Sequence, residues 1–235
     1  MTAQAPWQPR AEFLIADLQR VFGSRLKAVV VYGGGRDTAG GPLTTLALVG
    51  TLTQDDLDAC ARHAPQWGRR DIGIPLMLPV EEFRRSLDAF PLEYADILGS
   101  HVVAFGDDPF VGVTIAALDL RRACETQVKS HLLHLREGYI EAHATPAAVA
   151  QLVAASAGPF AALLRHVARL HGVEGETPHA TAQAGARAAH LPESVVARVL
   201  SFDGGDAAPA DGARLFADYL AAVEQLARVV DTWHA

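Results

Sequence analysis

Every run that reads as an extended strand lies before about residue 113, and beyond that point the apolar spacing is helical. Residues 26–32 (LKAVVVY) are β-branched and break at three consecutive glycines, Gly33, Gly34 and Gly35. Residues 43–49 (LTTLALV) follow the turn signal Gly40-Gly41-Pro42 and form a second run. Residues 71–80 (DIGIPLMLPV) make a third, which Pro75 and Pro79 push towards a sheet edge. Residues 101–105 (HVVAF) make a fourth, closed by Gly106-Asp107-Asp108-Pro109. Between them lie helical patterns at 11–22 and 81–89, the latter stopping at Phe90-Pro91. A further helix is expected after Thr53, which stands at capping-box spacing from Asp56. Strands alternating with helices predict an α/β domain with a mixed sheet over residues 1–112.

Residues 113–235 read differently. Residues 118–142 repeat apolar positions at Leu120, Cys124, Val128, Leu132, Leu135 and Tyr139, the stripe of an amphipathic helix. Three more helical segments are expected at 147–171, 180–202 and 213–233, separated by turn-rich stretches. Of the 43 alanines, 30 fall from Ala116 onward, and such small side chains let helices approach closely. A four- or five-helix bundle is the expected architecture. Residues 145–164 carry no charge over roughly the length of a bilayer span. With Gln151, Ser156, Gly158 and Pro159 inside, the stretch reads as a buried bundle helix, bent or broken near Gly158-Pro159.

Composition narrows the function classes. Half of the residues are hydrophobic and a fifth charged, enough apolar material for a sizeable core. A net charge of −7 gives no general attraction to nucleic acid or anionic lipid, so neither is an expected partner. Cys60 and Cys124 are too few for a disulfide framework and form no CxxC pair. Both are expected to be small buried apolar residues. The first ten residues lack a secretory pattern, and a cytoplasmic protein is expected.

A strand followed by a glycine-rich turn invites a phosphate-binding reading. A Walker A loop fails, because Gly40-Gly41 is followed by Pro42 and Leu43. A Rossmann fingerprint fails, because Thr38 stands where its third glycine belongs. The segment Val29-Val30-Val31-Tyr32-Gly33, with Arg36 in the following loop, resembles the nucleotidyltransferase superfamily of aminoglycoside and minimal nucleotidyltransferases. Residues 83–110 are similar to the region after the third strand in bacterial proteins of that kind. The resemblance implies a nucleotidyltransferase-like α/β domain followed by a helical bundle. It also implies an Asp-x-Asp on the second strand, holding two Mg²⁺ ions that align a nucleoside triphosphate. Those positions fall on Thr45 and Ala47, and a register one residue on offers Leu46 and Leu48. A hydroxyl is a weak magnesium ligand and a methyl is none.

The resemblance thus implies a degenerate relative, a pseudoenzyme with no catalytic residues that acts by binding. The expected contacts to a nucleotide-like or other small ligand are Gly33, Gly34, Gly35 and Arg36. Two alternatives stay open. One is an active Mg²⁺-dependent nucleotidyltransferase whose metal site is rebuilt from Asp71, Asp37 or acids of the bundle. The other is an antitoxin-like interaction module, a homodimer or partner of another protein. Asp71 is the metal candidate, lying near the family's third carboxylate, although one acid cannot hold two ions. Asp107-Asp108 reads as a capped turn rather than a metal site. His131, His134 and Glu137 share one helical face as a partial ligand set, with no further ligand in sight.

Overall fold

The computed structural model describes residues 5–33, 41–143, 145–203 and 211–234. The chain divides into two compact units, Met1–Ile115 and Ala116–Ala235.

Among the described residues, the first unit is a four-stranded mixed sheet with helices on both faces. Helix α1 (Gln8–Phe22) starts with a proline in its first turn, where the missing N–H costs nothing. It leads through a short 3₁₀ turn into β1 (Leu26–Tyr32), which pairs antiparallel with β2 (Thr44–Val49). Helix α2 (Gln54–Gly68) opens on the expected capping box, Thr53 and Asp56 exchanging side-chain and backbone hydrogen bonds. A fork from Arg25 clamps the same carboxylate, with both N···O distances at 2.7 Å, and holds Asp56 well below the usual carboxylate range.

Strand β3 (Leu76–Pro79) runs parallel to β2 and forms the sheet edge, in the order β3-β2-β1-β4. The extended run expected over 71–80 is shorter than anticipated. Asp71 turns the backbone at φ +53°, and only an isolated Leu43–Ile72 bridge precedes β3. Helix α3 (Val80–Arg85) is followed by α4 (Pro91–Ser100) and then β4 (Val102–Gly106), antiparallel to β1. The sequence reading took Pro91 only as a stop. Here it sits in the first turn of α4 and starts a helix.

One sheet face packs Val29, Ala47 and Val49 against Leu14 and Leu18 of α1 and Cys60 and Trp67 of α2. The opposite face packs Val30, Leu46 and Leu48 against Phe83, Tyr94, Ile97 and Phe110. Burial on both faces explains why residues 28–31 of β1 form a continuous apolar run rather than an alternating one, after the exposed Lys27.

The second unit is a bundle of five helices among the described residues: α5 (Ala117–Glu141), α6 (Pro146–Leu170), α7 (Pro178–Ala188), α8 (Glu193–Leu200) and α9 (Gly212–Asp231). The single segment expected at 180–202 is two helices. His190 adopts φ +54°, its N–H and that of Leu191 close onto Arg187 and Ala186 carbonyls, and Pro192 begins the next element. Helix α6 runs through Pro159 as one helix, not as two pieces. Among the described residues it is the one helix long and apolar enough to cross a membrane. Within this unit it packs against α5, α7, α8 and α9, burying Val153, Phe160, Leu164 and Val167.

Candidate functional site

The site implied by the resemblance lies where β1 ends. Gly33 takes φ +71°, a left-handed conformation in which no atom would crowd a β-carbon, so the backbone angle alone favours glycine. Its N–H donates to Ser100 Oγ at 3.4 Å, and that hydroxyl donates to the Asp96 carbonyl at 3.0 Å. Gly34, Gly35, Arg36 and Asp37 lie outside the described residues. On β2, Thr44 stands opposite Tyr32, whose phenol pKa is raised by burial.

The register of β2 places both sets of metal positions. Thr45 pairs with Val31 and Ala47 with Val29, and the two are 1% and 0% exposed. Ala47 sits in the core beneath α1 and α2. Leu46 and Leu48 point into the opposite core, beside Phe83 and Tyr94. Whichever register applies, the donor set on β2 is methyl groups and one hydroxyl, which cannot hold a pair of Mg²⁺ ions. Among the described residues, Thr45 Oγ1 is itself buried with no hydrogen-bond partner. Such an orphan costs desolvation free energy, so Thr45→Val is expected to raise stability by about 1 kcal/mol. Urea denaturation checks this, and a loss of stability would show that the hydroxyl has a partner in solution.

Asp71 is exposed, and its structural tie is through its backbone. Its carbonyl accepts from the Leu43 N–H at 2.7 Å and from an Arg10 guanidinium nitrogen at 3.3 Å. Among the described residues no group of three or more His, Cys, Asp or Glu side chains is placed to hold a metal ion, which includes the His131–His134–Glu137 set. Cys60 and Cys124 are buried and not joined in a disulfide among the described residues.

Two polar constellations escaped the sequence reading. Ser100 and His101 immediately precede Val102, which pairs with Val31, so they stand beside the end of β1. His101 Nε2 lies 3.1 Å from Asp108 Oδ1, and its Nδ1 lies 3.2 Å from the Leu98 carbonyl. Asp108 also accepts from the Phe110 N–H at 2.9 Å, making the capped turn expected there. The second constellation is Asp17, a buried carboxylate on α1. It accepts from Trp67 Nε1 at 3.0 Å, lies 3.3 Å from His63 Nδ1 and pairs with Arg20. It ties α1 to α2, and Asp17 carries no local motif that would mark it.

In the helical unit, His131 is buried between the Phe160 and Tyr219 rings, its Nε2 2.8 Å from Tyr219 Oη. Burial, aided by neighbouring His134, pulls its imidazole down from 6.5 to about 4. As pH falls the unfolded chain takes up the proton first. The stabilisation is therefore complete above about pH 6.5 and is lost progressively towards pH 4, about 3 kcal/mol in all. His131→Gln is expected to flatten this part of the stability profile, measured as urea midpoints between pH 7 and 4.5. An unchanged slope would remove His131 as its source.

The mixed four-stranded sheet with flanking helices, followed by a helical unit, has the fold of a nucleotidyltransferase of known structure. The chain is similar in structure to spectinomycin adenyltransferase AAD(9) from Enterococcus faecialis, crystallised with ATP and spectinomycin. The TM-score is 0.53 at 10% sequence identity, and the match covers 93% of this chain and 98% of that one. Neither a family model nor a curated protein sequence matches the chain.

Proposed function

We propose that this protein is a catalytically degenerate member of the nucleotidyltransferase fold that acts by binding a nucleotide-like ligand rather than by transferring a nucleotidyl group. One observation carries the reading: Thr45, Leu46, Ala47 and Leu48 are all buried in the two cores of the sheet, and none is a carboxylate. Metal-dependent nucleotidyl transfer needs carboxylates that share the ions and the triphosphate. No catalytic step is therefore assigned to any residue, and Asp71 alone does not supply the missing set.

The ligand contacts in this proposal are Gly33, Gly34, Gly35 and Arg36: the Gly34 and Gly35 amides for an anion, a guanidinium for its charge, and Gly33, whose own N–H meets Ser100 Oγ, at the strand end beside them. That the AAD(9) structure contains ATP supports a nucleotide as the ligand class. The proposal includes a cytoplasmic location and no membrane or nucleic-acid partner, supported by the net charge of −7 and by the packing of α6 inside its own bundle. Calorimetric titration of the full chain with ATP in EDTA tests it. Saturable binding is expected, weakened tenfold or more in Arg36→Ala. Absence of binding would overturn the ligand reading in favour of a protein-interaction module.

A further inference from the structure

We propose that the helical unit contains a second, separate binding site, a cleft between α5 and α6 that takes a small neutral aromatic molecule bearing one hydrogen-bond donor, of which phenol is the simplest probe. The cleft has a volume of about 270 Å³.

Its origin lies in side-chain size along two antiparallel helices. At Gly138 the helices touch, because a β-carbon there would stand 2.7 Å from Leu152 Cδ1. Further along, α6 presents Ala155, Ser156 and Pro159 to His131 and Leu135 of α5, and these small groups leave the space unfilled. The walls are mainly apolar, with Leu135 on one side and Leu152 on the other.

Two polar groups interrupt that apolar lining. Pro159 has no N–H, so the Ala155 carbonyl four residues earlier lacks its helical donor. The other is His131, which is 9% exposed. Its Nε2 lies 2.8 Å from Tyr219 Oη, which also lies 3.5 Å from the Ser156 carbonyl. No hydrogen bond engages Nδ1 among the described residues, and the ring stacks on Phe160 at 6.1 Å. An apolar cleft with a carbonyl acceptor that lacks its helical donor, and no competing charge, favours a ligand with an apolar body and a single O–H or N–H. His134 borders the cleft, but its Nδ1 is held 2.8 Å from the Ser130 carbonyl of its own helix.

The test is titration of the isotope-labelled full chain with phenol, followed by backbone amide chemical shifts, beside toluene, which has the same ring and no donor. Saturable shifts confined to α5 and α6 are expected, with toluene at least tenfold weaker. Ala155→Leu fills the cleft from an exposed position and is expected to weaken phenol at least tenfold with an unchanged circular dichroism spectrum. Pro159→Ala returns a donor to the Ala155 carbonyl and is expected to narrow the phenol–toluene difference. Shifts that do not saturate, or that survive Ala155→Leu unaltered, would overturn the site. Toluene binding as tightly as phenol would overturn the donor requirement.

Discussion

Replacing Gly185 by alanine is expected to destabilise the helical unit by about 3 kcal/mol, although alanine is the better helix former. Gly185 lies in the middle of α7, where a β-carbon would fall 1.9 Å from the Leu164 carbonyl oxygen of α6. It would also lie 2.9 Å from that carbonyl carbon and 3.0 Å from the Ala168 nitrogen. All three are backbone atoms, so no side-chain rotation can make room. Helix α7 would have to lift from α6, uncovering Ala182 and Ala186, which are now buried. Helix propensity alone predicts the opposite sign, a gain of up to about 1 kcal/mol. The urea midpoint therefore decides cleanly: a fall supports the close approach, and a rise contradicts it.

Gly106→Ala is expected to cost a similar amount in the first unit. Gly106 pairs with Ala28 at the end of β4 and takes φ +74°, a region that costs an L side chain roughly 1–2 kcal/mol. A β-carbon there would also stand 1.9 Å from the Lys27 carbonyl oxygen. The two penalties add because one concerns the residue's own backbone and the other its neighbour strand. The change should free β4 from β1, and hydrogen exchange of the amides of Val102–Gly106 should rise before that of β2. Uniform loss of protection across the sheet would contradict this local origin.

Local physics was legible in the sequence. The strand-to-glycine break at Gly33, the Thr53–Asp56 cap, the Asp108 turn and the edge position of β3 each follow from residues within a few positions of one another. Helix boundaries failed where one residue can play two parts: Pro91 reads as a stop yet starts α4, and His190 is a left-handed stop no glycine announces. Long-range pairings were out of reach. His131 meets Tyr219 across 88 positions and Trp67 meets Asp17 across 50, and no spacing rule connects them. The candidate site was half legible. That β2 lacks acids is written in Thr45 and Ala47, but only the strand register shows that the neighbouring Leu46 and Leu48 are equally enclosed.

Calorimetric titration with ATP in Mg²⁺ and, separately, in EDTA tests the proposed loss of metal chemistry most directly. Equal affinity in the two buffers is expected, because no pair of carboxylates on β2 can hold ions beside the triphosphate. Binding strengthened tenfold or more by Mg²⁺, and abolished in Asp71→Ala, would contradict it and reveal a rebuilt metal site.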